Sequence, residues 1–546
     1  MSSPDSRRQL PDETPDLHGG FPRLSDEQIK RLALDGERRP TEPGQVLFQE
    51  GDDEYDFHVV LEGRVETRTG EEPDARTVAV HGPGRFLGEL NLLIGGPSFL
   101  TAIALEAGEV LVIPASRLRQ LVAEDSELGD LVLRAYLARR NILIGLGAGV
   151  RIIGSHFSAD TRRLRELAAR NRVPHRWIDL EEDPQAEGLL QQMEVRPDET
   201  PVVIWRDLVL RNPSNRELAQ ALGQPLPVSD TNLFDLLVIG AGPAGLAAAV
   251  YGSSEGLSTL MLEGVAPGGQ AGSSSRIENY LGFPSGISGA ELADRALLQA
   301  EKFGANVSVP AEASGFEVDG DGHYAIELDD GTRVAGRTVL IATGAQYRKL
   351  PVPRLEDFEG TSVFYAATLV EAMVCVDDPV IVVGGGNSAG QATIFLADHA
   401  ARVTLVVRED DLTENMSRYL ADRIERAPGV DVHLHSELRE LVGERRLAGA
   451  VVEDTHTGER AELPALALFV FIGAAPRSAW LGDQAELDDG DYIRTGENGA
   501  LLLETNLPGV FAAGDVRSGS IKRVASAVGE GAMAVRLVHE RLKNSL

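Results

Sequence analysis

The order of apolar and polar positions divides the 546-residue chain into stretches of different period. Residues 24–148 hold short apolar runs, Val46-Leu47-Phe48 and Phe57-His58-Val59-Val60-Leu61 among them, parted by glycines such as Gly44, Gly51 and Gly63. Many short strands with frequent turns predict a β-barrel or jelly roll, followed by a helix around residues 131–143. Residues 150–223 change rhythm. A short strand at Arg151-Ile152-Ile153 precedes a helix over 161–171 with Leu164, Leu167 and Ala168 on one face, then a strand over 176–180. Thr200-Pro201 leads into the apolar run Val202-Val203-Ile204-Trp205. This is the βαβ opening of a small α/β unit. Gln224-Pro225-Leu226-Pro227 begins a linker over 224–233. Beyond it, one pattern occurs twice: an apolar strand, a glycine-rich turn, then a second strand. Together these predict a multidomain protein: a barrel, a small α/β unit and two α/β Rossmann-like units. Residues 1–23, polar and rich in Pro and Asp, read as a flexible tail.

Composition narrows the function. Hydrophobic residues make up 43% and charged residues 25%, ordinary for a globular chain. The net charge of −32 works against nucleic acid and anionic membrane, which are bound through basic patches. No apolar run reaches the roughly 18 residues of a membrane span. The first residues lack a secretory apolar core, so a cytoplasmic location is expected. A single cysteine, Cys375, excludes a disulfide framework and a Cys-based zinc site. His433 and His435 alternate along one strand face and read as surface residues, so no metal is assigned. No side chain is assigned as catalytic acid or base.

The two glycine turns carry the chemistry. Phe234-Asp235-Leu236-Leu237-Val238-Ile239 runs into Gly240-Ala241-Gly242-Pro243-Ala244-Gly245, and the next strand ends in Glu263. Glycines let the backbone approach a diphosphate, the helix N-terminus offers its amides, and the acid takes a ribose hydroxyl. The second turn is Gly384-Gly385-Gly386-Asn387-Ser388-Ala389, after Val380-Ile381-Val382-Val383. Four further blocks are Gly268-Gly269-Gln270, Ile277-Glu278-Asn279-Tyr280, Ala342-Thr343-Gly344-Ala345 and Phe511-Ala512-Ala513-Gly514-Asp515. With them, the chain from Phe234 onward resembles the low-molecular-weight thioredoxin reductases. The resemblance implies FAD and NADPH, and a homodimer. It implies an FAD-binding unit at 234–349 and 475–546 around an NAD(P)-binding unit at 350–474. It places Gly240, Gly242, Pro243, Ala244, Gly245, Glu263, Gly269, Gln270, Asn279, Ala342, Gly344, Gly514 and Asp515 against FAD. The family's Arg-Gln-Ala flavin contact reads Arg523-Val524-Ala525 here. Gly384, Gly386, Asn387, Ser388, Ala389 and Arg408 fall on the nicotinamide cofactor. The family's His-Arg-Arg run for the 2′-phosphate reads Val407-Arg408-Glu409. The guanidinium favours NADPH, while Glu409 and Asp410 beside it keep NADH open. The family's Cys-Ala-Thr-Cys is missing: Tyr365-Ala366-Ala367-Thr368-Leu369 stands in its place.

The first 223 residues carry two more resemblances. Pro43-Gly44-Gln45, Glu50-Gly51-Asp52, Leu61-Glu62-Gly63-Arg64-Val65 and Phe86-Leu87-Gly88-Glu89-Leu90 resemble cyclic-nucleotide-binding domains. There a Gly-Glu pair and an Arg-(Ser/Thr)-Ala triplet hold the ribose and the cyclic phosphate. Here Glu89 is present, but the triplet is Leu100-Thr101-Ala102, so Leu100 removes the counter-charge. The Thr-Pro strand resembles thioredoxin and glutaredoxin folds, with Ser158-Ala159-Asp160-Thr161 where a Cys-x-x-Cys would open the helix. The expected function is an FAD-dependent NAD(P)H oxidoreductase that passes electrons to an external small-molecule or protein acceptor. Two alternatives stand beside it: direct reduction of a partner disulfide by flavin, as in thioredoxin reduction, and a ligand- or redox-responsive flavin sensor.

Overall fold

The protein is seen as a computed structural model describing residues 11–17, 19–70, 75–155, 157–183, 186–223, 233–272, 274, 277, 280–318, 322–359, 361–365, 367, 372, 375–444, 446–497 and 501–544. Its first unit is a jelly roll of two sheets. One holds β1 (Glu37–Thr41), β3 (Phe57–Glu62) and β7 (Gly108–Ile113) in the order β1-β7-β3. The other runs β2-β6-β4-β5, with β2 Val46–Phe48, β4 Val65–Thr69, β5 Arg76–His81 and β6 Thr101–Ala104. Val59, Val60, Val65, Leu111 and Ile113 are fully or almost fully buried in its core. Part of the N-terminal segment read as a flexible tail is docked on this roll. Thr14 exchanges hydrogen bonds with the Val80 backbone, Glu13 pairs with Arg85 at 2.7 Å, and Phe21 is buried.

The long helix α1 (Ser126–Leu146) closes the roll. Asp125 caps it by accepting from Glu127 N and Leu128 N, and Gly147 ends it at φ 60°. The second unit follows at once, a four-stranded sheet in the order β11-β10-β8-β9, with β8 Val150–Gly154, β9 His175–Asp179, β10 Val202–Trp205 and β11 Leu208–Arg211. The helix α2 (Ala159–Arg170) joins β8 to β9, which pair in parallel. One apolar core runs through both units, from Leu24 to Leu222, and Leu298 of the flavin half packs against it. The linker residues 224–232 lie outside the described residues.

The rest is two α/β layers. The larger sheet has the order β14-β13-β12-β17-β16-β15, with β12 Leu233–Ile239, β13 Thr259–Leu262, β14 Asn306–Ser308, β15 Ala313–Val318, β16 Tyr324–Leu328 and β17 Arg333–Ile341. Val510–Ala512 returns to pair in parallel with β17. Helices α3 (Pro243–Ser254), α4 (Gly289–Lys302) and α6 (Val524–Asn544) pack together on this sheet. The smaller sheet is wholly parallel, in the order Val363–Phe364 (β18), Ala467–Val470 (β22), Pro379–Val383 (β19), Arg402–Val406 (β20), Val430–His433 (β21). Helix α5 (Asn387–Ala397) follows β19. Such sheets bind ligands beyond the carboxyl ends of their strands, which is where both glycine turns lie. Among the described residues, no helix is long and apolar enough to cross a membrane.

Candidate functional site

At the end of β12 the chain turns on Gly240, with φ 104° and its N–H given to Leu262 O at 2.7 Å. A Cβ there would lie 2.4 Å from Ala342 O, and one on Gly245 would lie 1.9 Å from Gly240 O. The strand, the turn and α3 therefore pack backbone to backbone. Gly242 is the N-cap of α3 with no side-chain cap, and among the described residues, its chain neighbours aside, no atom lies within 4 Å of where its Cβ would stand. Free amides of a helix N-terminus, in front of open space, are what a diphosphate fits. Pro243 at the first helical position costs nothing there, since that N–H has no helical partner. Glu263 accepts from Ala241 N at 2.8 Å and Val265 N at 3.1 Å, so it is fixed at the rim of the turn.

The later blocks converge on the same rim. Gly269, at φ 54°, comes so near Gly242 that a Cβ would lie 3.1 Å from its Cα. Gln270 donates to Ala345 O, and Ala342 N bonds Ile239 O at 2.8 Å, which brings Ala342 and Gly344 beside the turn. Gly514, at φ 76°, stands where a Cβ would lie 3.1 Å from Ala244 Cβ, and gives its N–H to Glu530 at 2.7 Å. Burial raises the Asp515 carboxyl above its ordinary range, against the pull of Lys522. Lys522 donates to Asp515 O at 2.6 Å and lies 4.4 Å from the Tyr492 ring centre. Sequence reasoning missed Lys522, Tyr492 and Glu530, because no motif spans their separations. Arg523 and Ala525 are exposed and Val524 is half-buried at the start of α6. Asn279 lies outside the described residues.

The second turn repeats this construction. Gly384 N bonds Val406 O at 3.1 Å, and a Cβ there would lie 2.3 Å from Phe471 O. Gly386 caps α5 without a side-chain cap and faces open space. Asn387 and Ser388 are exposed, while Ala389 is buried. Asn387 is partly spent, since its Oδ1 accepts from Ser417 N at 2.7 Å. The Arg408 side chain is 76% exposed and gives its Nε to Glu409 at 3.1 Å.

The thiol is elsewhere. Cys375 is buried in the core of the smaller sheet, with Val380, Val382 and Ala389. Tyr365, the first residue of the stretch that stands in place of the Cys pair, stacks on Tyr347 with centroids 5.9 Å apart and donates to Glu359 at 2.5 Å. Residues 366, 368–371, 373 and 374 lie outside the described residues. In the jelly roll, Glu89 is fully buried and engaged by Arg140 at 2.5 Å; Arg140 also donates to Asn91 at 2.7 Å. Leu100 is buried as well. The carboxylate that the resemblance assigns to a ribose is thus held by a guanidinium of α1. The strand expected to carry His433 and His435 ends at His433; His435, in the bend beyond it at φ 50°, meets His456 instead, rings 4.1 Å apart, with Asp410 2.9 Å from His435. These three are close enough to share a cation.

Known proteins share this construction. The profile of pyridine nucleotide-disulphide oxidoreductases matches residues 234–531, and that of cyclic nucleotide-binding domains matches residues 38–125. A 34.2 kDa protein in the rubredoxin operon of Clostridium pasteurianum is 37% identical over 306 residues, 56% of this chain and 96% of that protein. A thioredoxin reductase of Listeria monocytogenes is 36% identical over 322 residues, 58% of this chain and 98% of its own length. The solved thioredoxin reductase of Lactococcus lactis aligns at TM-score 0.48 and 29% identity, over 57% of this chain and 99% of its own. Two dinucleotide turns in this order define an FAD-dependent NAD(P)H oxidoreductase. The chain belongs to the pyridine nucleotide-disulphide oxidoreductase family, is thioredoxin reductase-like within it, and carries a cyclic nucleotide-binding domain ahead of it.

Proposed function

We propose that this oxidoreductase works without an internal dithiol, passing electrons from flavin to an acceptor that comes from outside. The observation that carries the reading is the thiol inventory: Cys375 is the one cysteine, and it is 1% exposed. Disulfide exchange needs an accessible thiolate and a second sulfur, and the chain offers neither. Bound FAD supplies the two-electron chemistry between a reduced nicotinamide and the acceptor. The chain's own residues bind and orient. Amides at the start of α3, behind Gly242, take the FAD diphosphate, and Glu263 takes its adenosine ribose. Gly269, Gln270, Ala342, Gly344, Gly514 and Asp515 flank the rest, with Arg523, Val524 and Ala525 at the edge; the resemblance adds Asn279, outside the described residues. Gly384, Gly386, Asn387, Ser388, Ala389 and Arg408 face the nicotinamide cofactor. In this reading residues 234–349 with 475–546 form the FAD unit and residues 350–474 the NAD(P) unit.

The jelly roll, in this reading, is a structural or interaction module. Its Glu89 is already paired with Arg140, and Leu100 supplies no charge for a cyclic phosphate. The test of the whole reading is an anaerobic titration of the purified protein with NADPH and NADH, followed by an acceptor screen of quinones, oxygen and protein disulfides. Bleaching of bound flavin, with reoxidation by an acceptor, is expected. Cys375→Ala keeps turnover within about twofold, because a buried thiol acts as a small hydrophobe. Flavin that neither nucleotide bleaches, or turnover abolished in Cys375→Ala, would sink the proposal. Reoxidation by a thioredoxin disulfide alone would identify the acceptor as a protein met directly at the flavin.

A further inference from the structure

We infer that Glu409 selects NADH, by accepting the 2′-hydroxyl of the adenosine ribose and excluding the 2′-phosphate of NADPH. The inference rests on the reductase reading of the second glycine turn and reverses the expectation drawn from Arg408.

The two halves of the redox unit give the frame. Gly240 N bonds Leu262 O at 2.7 Å in one, and Gly384 N bonds Val406 O at 3.1 Å in the other. Ala241 and Gly385 are therefore counterparts. In the flavin half a carboxylate stands over that position, Glu263 Oε2 accepting from Ala241 N at 2.8 Å. In the other half a carboxylate arrives at the same place from two residues farther along. A Cβ on Gly385 would lie 2.4 Å from Glu409 Oε2. The local sequence hides this equivalence, because Val407 and not Glu409 is the register partner of Glu263.

The Glu409 carboxylate is half used. Its side chain is 13% exposed. Oε1 accepts from Arg408 Nε at 3.1 Å and Asn415 Nδ2 at 3.2 Å. Oε2 is buried and has no hydrogen-bond partner among the described residues. A carboxylate oxygen stripped of water without a donor is costly, and a ligand hydroxyl at the turn removes that cost. In dinucleotide folds an acid at this strand end reads the 2′-hydroxyl, and an arginine accommodates the 2′-phosphate. Here the one arginine is bound by the acid itself and leaves most of its side chain in solvent. Asp410, next along the rim, adds a second carboxylate, which lies 2.9 Å from His435 and 3.9 Å from His456. A phosphate dianion at this rim would face two carboxylates, and like charges so placed disfavour binding.

The test separates cofactor choice from turnover. The flavin-loaded full-length protein is titrated calorimetrically with ADP and with 2′,5′-ADP, and anaerobically with NADH and NADPH. ADP is expected to bind at least about tenfold tighter than 2′,5′-ADP, the scale of one charge-assisted hydrogen bond. NADH should bleach the flavin at correspondingly lower concentration than NADPH. Glu409→Gln narrows the gap, and Glu409→Arg reverses the order, with flavin content as the folding control. If Glu409→Arg loses its flavin, Glu409→Gln decides. Equal or tighter binding of 2′,5′-ADP by the unaltered protein would overturn the inference, as would a gap unchanged in Glu409→Gln. If ADP is preferred but neither nucleotide bleaches the flavin, the reductase reading fails while the role of Glu409 stands.

Discussion

Two glycines of one turn answer differently to the same added methyl group. A Cβ on Gly245 would lie 1.9 Å from Gly240 O, inside any van der Waals contact, whereas Gly242 has open space in front of it and an ordinary φ of −73°. Gly245→Ala must push α3 off β12, and overpacking of this kind costs about 1–3 kcal/mol. A lowered Tm and a several-fold fall in the ratio of flavin to protein absorbance are expected together. Gly242→Ala leaves the Tm of the flavin-free protein unchanged, yet places its methyl where the diphosphate would approach, so flavin is lost without instability. Equal Tm losses in the two variants would show that both glycines are only structural. Both turns were legible in the sequence, because a dinucleotide turn is built from residues within one short stretch. Glu89 and Glu409 were legible as residues, but their partners were not. The first is claimed by Arg140, 51 residues away, and the second reaches over Gly385 from the next strand. Nothing local announces either contact.

Helices and strands were placed in the right order but not always to their ends: the helix expected around 131–143 runs Ser126–Leu146. The helix expected over 161–171 is Ala159–Arg170, started by Ser158, whose hydroxyl accepts from Thr161 N. What the pattern could not show is the surface each element meets. Helix α4 was legible as part of the flavin half, but its far face is turned to the N-terminal units. There Asp294 meets Arg172 at 3.1 Å, and Lys302 donates to Ala123 O at 2.8 Å. Burial pushes the Asp294 carboxyl up to about 6, with Arg172 pulling it down, and the Glu301 carboxyl up to about 7, with Arg119 opposing. Both values lie above those of an unfolded chain, near 4, so the folded state binds protons that the unfolded state releases. Their contribution is fully present below pH about 4 and is lost as the pH rises through about 6 and 7. Glu301→Gln should therefore gain stability over the unaltered protein at pH 8, on the order of 1–3 kcal/mol. The difference should vanish at pH 4.5. Denaturant midpoints at the two pH values check this, and a gain of the same size at both would show that the ionisation of Glu301 is not its source.

At the scale of the molecule, the redox half stands on a base that the sequence had divided in two, at 24–148 and 150–223. The backbone passes from one to the other at Gly147 and Gly149, but the side chains do not separate there. Phe99 of the jelly roll packs on Trp205 of the second sheet with ring centres 5.0 Å apart, and both belong to one core with Leu164, Val203 and Leu218. Arg206 reaches back to donate to Gly51 O at 2.9 Å. A fragment ending at residue 149 would expose the jelly-roll half of that core, so it should fail to give a cooperative melt by circular dichroism. A fragment of residues 1–223 should melt in one transition. Independent melting of the shorter piece would show that the shared core is only an adhesion between finished domains. The continuous core also bears on how such a chain could have been assembled. Modules joined by a tether can be shuffled at no loss to either, but these two have grown into each other. Any ancestor that exchanged one of them alone would have had to rebuild the apolar seam, and the pair would then be inherited as a single piece.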